Sequence, residues 1–144
     1  MAGEKIIMQS GVVPYWFDSG ILKIVLVTAR NASRNWIVPK GHIEKGLTPA
    51  ESAKIEAHEE AGVDGNISDQ KLGSFKYSKY GRNYKVDFYL LEVKKILKRW
   101  PEDSKRRRII VDIETALELT SDSKFTRILK KTAKQVKQEK SSNG

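Results

Sequence analysis

Apolar positions fall into blocks whose spacing changes along the chain. "GVVPYWF" and "ILKIVLVTAR" are β-branched and aromatic runs on either side of "DSG", a turn signal, and they predict two strands joined as a hairpin. "NWIVPKG" predicts a shorter strand ended by Pro39 and Gly41. The pattern then becomes helical. Thr48 is placed as N-cap, Pro49 at the first helical position, Glu51 closes a T-x-x-E capping box, and Gly62 provides the stop, which predicts a helix over 49–61. "KLGSFKYSKY" and "YKVDFYLLEV" predict a second strand pair around "GRN", and "RRRIIVDI" a further strand leading into "ETALELT". Phe125, Ile128, Leu129, Ala133 and Val136 recur at helical spacing and predict a last helix over about 122–138, with 139–144 a frayed, flexible tail. Strands mixed with two or three helices imply a layered α/β or α+β domain over 1–138.

Charge changes this picture more than size does. The 144 residues suit one domain, and their net charge of +9 is unevenly placed. Residues 1–72 hold 8 Lys and Arg against 9 Asp and Glu, whereas 73–144 hold 19 against 9. A basic half predicts an anionic partner: nucleic acid, an acidic membrane surface or a polyphosphate small molecule. The chain has no cysteine, so disulfides and thiolate metal sites are excluded. No apolar stretch approaches the length of a membrane span or a signal peptide, and the expectation is a soluble cytoplasmic protein, monomeric or homodimeric, with no membrane partner.

Against that basic background, "GHIEKGLTPAESAKIEAHEEAGV" places Glu56, Glu59 and Glu60 on one side of the predicted helix, beside a stripe of Ala50, Ala53, Ala57 and Ala61. Like charges at i,i+3 and i,i+4 repel by about 0.2–0.5 kcal/mol each on an isolated helix. Two of the three also sit at the carboxyl end, where the helix dipole disfavours negative charge. A cation is expected to compensate. Oxygen-only ligands suit Mg²⁺ or Mn²⁺, hard ions that bridge to phosphate oxygens. A solvated Glu-rich helix face is the plain alternative.

The stretch resembles the Nudix box, G-x5-E-x7-R-E-U-x-E-E-x-G-U with U apolar, at Gly41, Glu56, Ala57, Glu59, Glu60, Gly62 and Val63. Leu47 stands where the box has its first Glu, and Ile55 where it has Arg. "QSGVVPYWF", "WIVPKGHIEKG", "EAGVDG" and "WPEDSKRRRIIVDIETAL" are similar to the branch with the diphosphoinositol polyphosphate and diadenosine polyphosphate phosphohydrolases. The resemblance implies an α/β/α sandwich around a mixed β-sheet and metal-dependent hydrolysis of a pyrophosphate bond in a polyphosphate small molecule. It also implies metal binding by Glu56, Glu59, Glu60 and the Gly41 carbonyl, with Glu56 or Glu59 as the base. RNA 5′-pyrophosphate removal and non-catalytic nucleotide or nucleic-acid binding are the alternatives, the latter motivated by the two altered box positions.

Phosphate grip is expected from Arg30, Lys40, Arg82, Arg106 and Arg108, since guanidinium binds phosphate bidentately. Strand alternation would put Arg106 and Arg108 on one face and Arg107 on the other. Trp16, Trp36 and Trp100 are candidates for stacking a base or for the core. Glu102 is a candidate remote ligand or base, and Leu47 and Ile55 are expected to meet as an apolar contact across the helix start.

Overall fold

The computed structural model describes residues 5–30 and 35–143, with side chains to residue 140. Its elements, in chain order, are β1 (Ile6–Asp18), β2 (Ile21–Thr28), β3 (Trp36–Ile37), β4 (Lys40–His42), α1 (Pro49–Ala61), β5 (Val63–Ile67), β6 (Gly73–Lys79), β7 (Arg82–Ile96), β8 (Arg108–Asp112), α2 (Ile113–Leu119) and α3 (Ser123–Asn143). The strands form one mixed sheet with the path β3-β2-β1-β7-β5; β4 pairs with β1, β6 with β7 and β8 with β2. Among the described residues only β1 and β7 run parallel, with residues 6–15 opposite 83–92.

Two apolar cores lie on opposite faces of this sheet. Val12, Val25, Val27, Leu91 and Val93 pack against the alanine stripe of α1. Val13, Ile24, Leu26, Val86, Phe88 and Leu90 pack against α2 and α3 through Ile113, Ala116, Phe125, Ile128 and Leu129. Successive residues of β2 thus enter opposite cores, which is why its sequence is a nearly unbroken apolar run rather than an alternation. The architecture is the α/β/α sandwich around a mixed sheet. Four alanines let α1 approach the sheet closely, and Ala53, Ala57 and Ala61 are fully buried.

Local chemistry accounts for the ends of α1. Glu51 N–H donates to Thr48 Oγ1 (3.1 Å) and Thr48 N–H to Glu51 Oε1 (2.8 Å), the reciprocal pair of a capping box. At the other end Gly62 takes the left-handed conformation (φ 63°, ψ 38°) and its N–H returns to the His58 carbonyl at 3.0 Å.

Several boundaries depart from the sequence reading. "NWIVPKG" forms two short strands, β3 and β4, because β2 and β1 each hold part of it. The second hairpin turns at Tyr80 and Gly81, both at positive φ, so Arg82 opens β7 instead of lying in a loop. Val63–Ile67 is a strand that the sequence reading omitted. α3 continues to Asn143, so 139–143 are helical where a frayed tail was expected; Gly144 lies outside the described residues. Pro14 sits inside a central strand, where β1 changes edge partner from β4 at Gln9–Gly11 to β2 at Tyr15–Asp18, and a missing N–H is tolerated at that break. Among the described residues, no helix is long and apolar enough to cross a membrane.

Candidate active site

Glu56, Glu59 and Glu60 open onto a cavity of about 410 Å³ at the carboxyl half of α1, which Gly41, His42, Glu44 and Glu102 also line. Glu56 and Glu60 are buried, 8% and 4% exposed, although each carries an ionisable carboxyl. Gly41 explains how Glu56 fits: a Cβ added there would collide with the Glu56 carboxylate, so only glycine lets that side chain lie on the β4 backbone.

The two buried carboxyls are hydrogen-bonded to one another. Loss of hydration pushes both pKa values up, and the bond couples the two carboxyls so that the pair shares a proton. Burial first, then its hydrogen bond with Glu56, raises Glu60 from 4.5 to about 9, against the opposing pull of Arg106. Burial likewise raises Glu56, with the Glu60 bond pulling it back. Arg106 supplies the compensating cation. Its Nη2 lies 3.5 Å from Glu60 Oε2, its Nε donates to Glu102 Oε1 (2.9 Å) and its Nη1 to the Thr28 carbonyl (3.0 Å).

A pH dependence follows. The folded Glu56–Glu60 pair keeps a proton that the unfolded chain releases, so its contribution to stability is full below pH 4.5 and is lost as pH rises towards about 9. Metal-free protein is therefore expected to melt at progressively lower temperature across that window. Glu60→Gln should flatten the trend, and so should a divalent ion that displaces the shared proton; calorimetric melting at several pH values measures both.

The other candidate residues divide. Arg30, Lys40 and Arg106 line the glutamate cavity together with Tyr77 and Lys79, and these five also line an adjoining cavity of about 490 Å³. That second cavity adds Trp36, Phe75 and Phe125 as aromatic lining and Asn35, Asp122 and Lys124 as polar lining. Lys40 is held in place: Nζ donates to Tyr77 Oη (3.2 Å), which donates to Gln9 Oε1 (2.6 Å). Its pKa is lowered, chiefly by burial, with Glu60 opposing. Arg82 is exposed at the hairpin tip and lines neither cavity.

Arg108 also lines neither cavity. Its Nη1 donates to the carbonyls of Leu97 (2.8 Å), Ala61 (2.9 Å) and Gly62 (3.4 Å), and its guanidinium lies over Trp100 at 4.1 Å from the ring centroid. That geometry corrects the expectation of phosphate contact: the donors that the sequence suggested for a ligand are turned to the end of α1. Arg107 lies near Trp36, at 5.7 Å from its ring centroid. Leu47 and Ile55 are half-buried and belong to neither core. Lys79, Glu44 and Asp122 were missed by sequence reasoning, since each reaches the cavities from a turn or strand end whose position is set only by the fold.

A match to the NUDIX domain covers residues 11–130. The chain belongs to the Nudix family. It is 34% identical to diphosphoinositol polyphosphate phosphohydrolase 2 of Rattus norvegicus over 100 residues, 67% of this chain and 54% of that protein. It is 30% identical to the asymmetrical bis(5′-nucleosyl)-tetraphosphatase of Sus scrofa over 92 residues, 62% of each. The Nudix fold is also that of a Caenorhabditis elegans Ap4A hydrolase in a binary complex, with TM-score 0.77 and 20% identity, covering 91% of this chain and 98% of that one. The chain spans between half and two thirds of the length of the curated relatives it matches.

Nudix hydrolases generally use divalent metal ions, and the donor set here fits one. Glu56 and Glu60 are adjacent, buried and oxygen-only, with Glu59 and the Gly41 backbone on the same cavity. Among the described residues, no three acidic or histidine side chains form a ready-made cage. Two carboxylates with water and phosphate completing the shell is the arrangement Mg²⁺ prefers.

Proposed function

We propose that this chain is a pyrophosphohydrolase that uses Mg²⁺ or Mn²⁺ to cleave a phosphoric anhydride bond in a polyphosphate small molecule, with a dinucleoside polyphosphate as the favoured substrate. The observation that carries this reading is the juxtaposition of carboxylates and cations in one cavity. Glu56, Glu59 and Glu60 occupy one wall, and Arg30, Lys40 and Lys79 share the same space. Such a cavity suits a ligand that meets metal at one end and needs its remaining charge neutralised at the other. The adjoining cavity, with Trp36, Phe75 and Phe125 beside Asn35 and Asp122, has the flat apolar surfaces and hydrogen-bonding groups that a nucleobase needs. A diphosphoinositol polyphosphate is the second reading, favoured by the 34% identity to an enzyme named for that substrate.

Glu56 and Glu60 would hold the metal, with Glu59 and the Gly41 carbonyl beside them. When bound, it neutralises the carboxylates, polarises a phosphoryl group and increases the acidity of water. Glu59, less buried than its two neighbours, would take the proton of attacking water. Lys40, fixed by Tyr77, and Arg30 hold phosphate oxygens and offset charge as the anhydride opens.

Phosphate release from diadenosine polyphosphates, diphosphoinositol polyphosphate, ADP-ribose, deoxynucleoside triphosphates and triphosphorylated RNA tests the reading. Metal-dependent turnover of the first two groups supports it. Turnover of the RNA alone would move the assignment to 5′-end processing, and tight nucleotide binding without turnover to a sensing role. Lys40→Met should raise KM about tenfold, more than it lowers kcat, and most for the longest phosphate chain. Equal Lys40→Met effects on substrates with two and five phosphates would remove the reason to place Lys40 on the phosphates.

A further inference from the structure

The last carbonyls of a helix have no partner within it, and water usually satisfies some of them. At the carboxyl end of α1 the segment from Leu97 to Arg108, which links β7 to β8, takes that place. Glu102 N–H donates to the Glu59 carbonyl (3.0 Å), and the Trp100 indole N–H to the Glu60 carbonyl (2.9 Å). Leu97 N–H donates to the Gly62 carbonyl (2.8 Å), and Arg108 Nη1 to those of Ala61 and Gly62. Four consecutive carbonyls, starting with those of two candidate metal-site glutamates, are thus bound by one segment distant in sequence.

This segment is itself braced. The Arg108 guanidinium lies on the Trp100 ring, and Trp100 packs so closely on Gly62 that a Cβ there would lie 2.8 Å from it. Asp103 Oδ2 accepts from Trp100 N–H (3.1 Å) and pairs with Arg99 Nε (2.9 Å), closing the turn. The segment also carries Glu102 and Arg106, whose side chains line the glutamate cavity. One set of main-chain contacts therefore fixes both the glutamates on α1 and the groups facing them. Leu47 and Ile55, which stand where the box has Glu and Arg, bring no charge to the start or the middle of α1.

We propose that Trp100 and Arg108 are positioning residues: through the carbonyls of Glu60, Ala61 and Gly62 they set the placement of the Glu56 and Glu60 carboxylates, and hence metal affinity and turnover. Neither residue lines the cavity, so both act through the helix. The effect on turnover rests on the hydrolase reading above; the effect on metal affinity does not.

Two charge-conserving substitutions test it. Trp100→Phe keeps a ring under Arg108 and against Gly62 but removes the donor to Glu60, and Arg108→Lys keeps the charge but not the planar guanidinium whose stacking on Trp100 holds Nη1 against the carbonyls. Each variant of the 144-residue chain is assayed at a temperature where circular dichroism shows it folded. Mn²⁺ alone is titrated by calorimetry, and kcat and KM are measured on the substrate selected from the panel. The expected result is a several-fold rise in the Mn²⁺ Kd and a fall in kcat of about tenfold or more with KM nearly constant, since small misplacement of reacting groups is costly. A rise in KM at constant kcat would overturn the proposal and return Arg108 to phosphate binding. Lower melting temperature with unchanged Mn²⁺ affinity and kcat would overturn it in favour of a purely stabilising role. If the wild type hydrolyses nothing in the panel while the variants still weaken Mn²⁺ binding, the positioning role stands and the hydrolase reading fails.

Discussion

Glu56→Gln is expected to abolish most turnover, by about 10²–10⁴-fold, the range associated with loss of an acid–base or charge-bearing group. The substitution is nearly isosteric and leaves an amide oxygen to accept from the Glu60 carboxyl. Burial already disfavours the Glu56 charge in the metal-free protein, so folding loses little. The proposed metal site loses one of its two buried carboxyls. Mn²⁺ affinity should therefore fall while the circular dichroism spectrum and urea midpoint stay close to those of the wild type. Steady-state phosphate release, Mn²⁺ calorimetry and urea unfolding on the same preparation separate the outcomes. Near-normal turnover would place the chemistry on other residues of the cavity.

The largest effect on stability is expected from Gly62→Val, about 3 kcal/mol or more by urea unfolding. Two costs coincide. A β-branched residue is strained at φ 63°, and its Cβ would lie 2.8 Å from Trp100. Moving Trp100 to relieve the contact would disturb its bond to the Glu60 carbonyl. Gly62→Asn, which tolerates the left-handed conformation but still carries a Cβ, separates the two costs. If Asn is nearly as stable as Gly, backbone conformation dominates; if it is nearly as poor as Val, the Trp100 contact does.

What was legible in the sequence was local. The capping box, Pro49 and Gly62 bounded α1 because each acts within a turn of its own position. Glu56, Glu59 and Glu60 were expected on one side of the helix because i,i+3 and i,i+4 neighbours share a helix face in any fold, and all three line one cavity. The Val63–Ile67 strand was not legible: "VDGNI" has neither alternation nor a long apolar run and is held by pairing with the far longer β7. Arg106 and Arg108 look alike in "KRRRII", but one reaches Glu60 and the other the α1 carbonyls, a distinction made by where β8 docks on β2. Trp100 offered no sign of its role, because its partner is a main-chain oxygen forty positions earlier.

The parallel pairing of β1 with β7 has a kinetic corollary. Residues 6–15 meet 83–92 only after nearly everything between them, α1 included, has been drawn into a closed loop. Such long-range pairing slows folding, whereas α1 has enough local signals to begin forming early. An early helix, however, would have Glu56, Glu59 and Glu60 dispersed in water, its final carbonyls hydrated and no opposing wall. Burial of the carboxyl pair awaits the docking of β4 and of the segment that ends at Arg108. Affinity for a divalent ion should accordingly appear late in refolding, with or after the slowest phase, as a property acquired by the assembled sheet rather than by the helix that carries the proposed ligands.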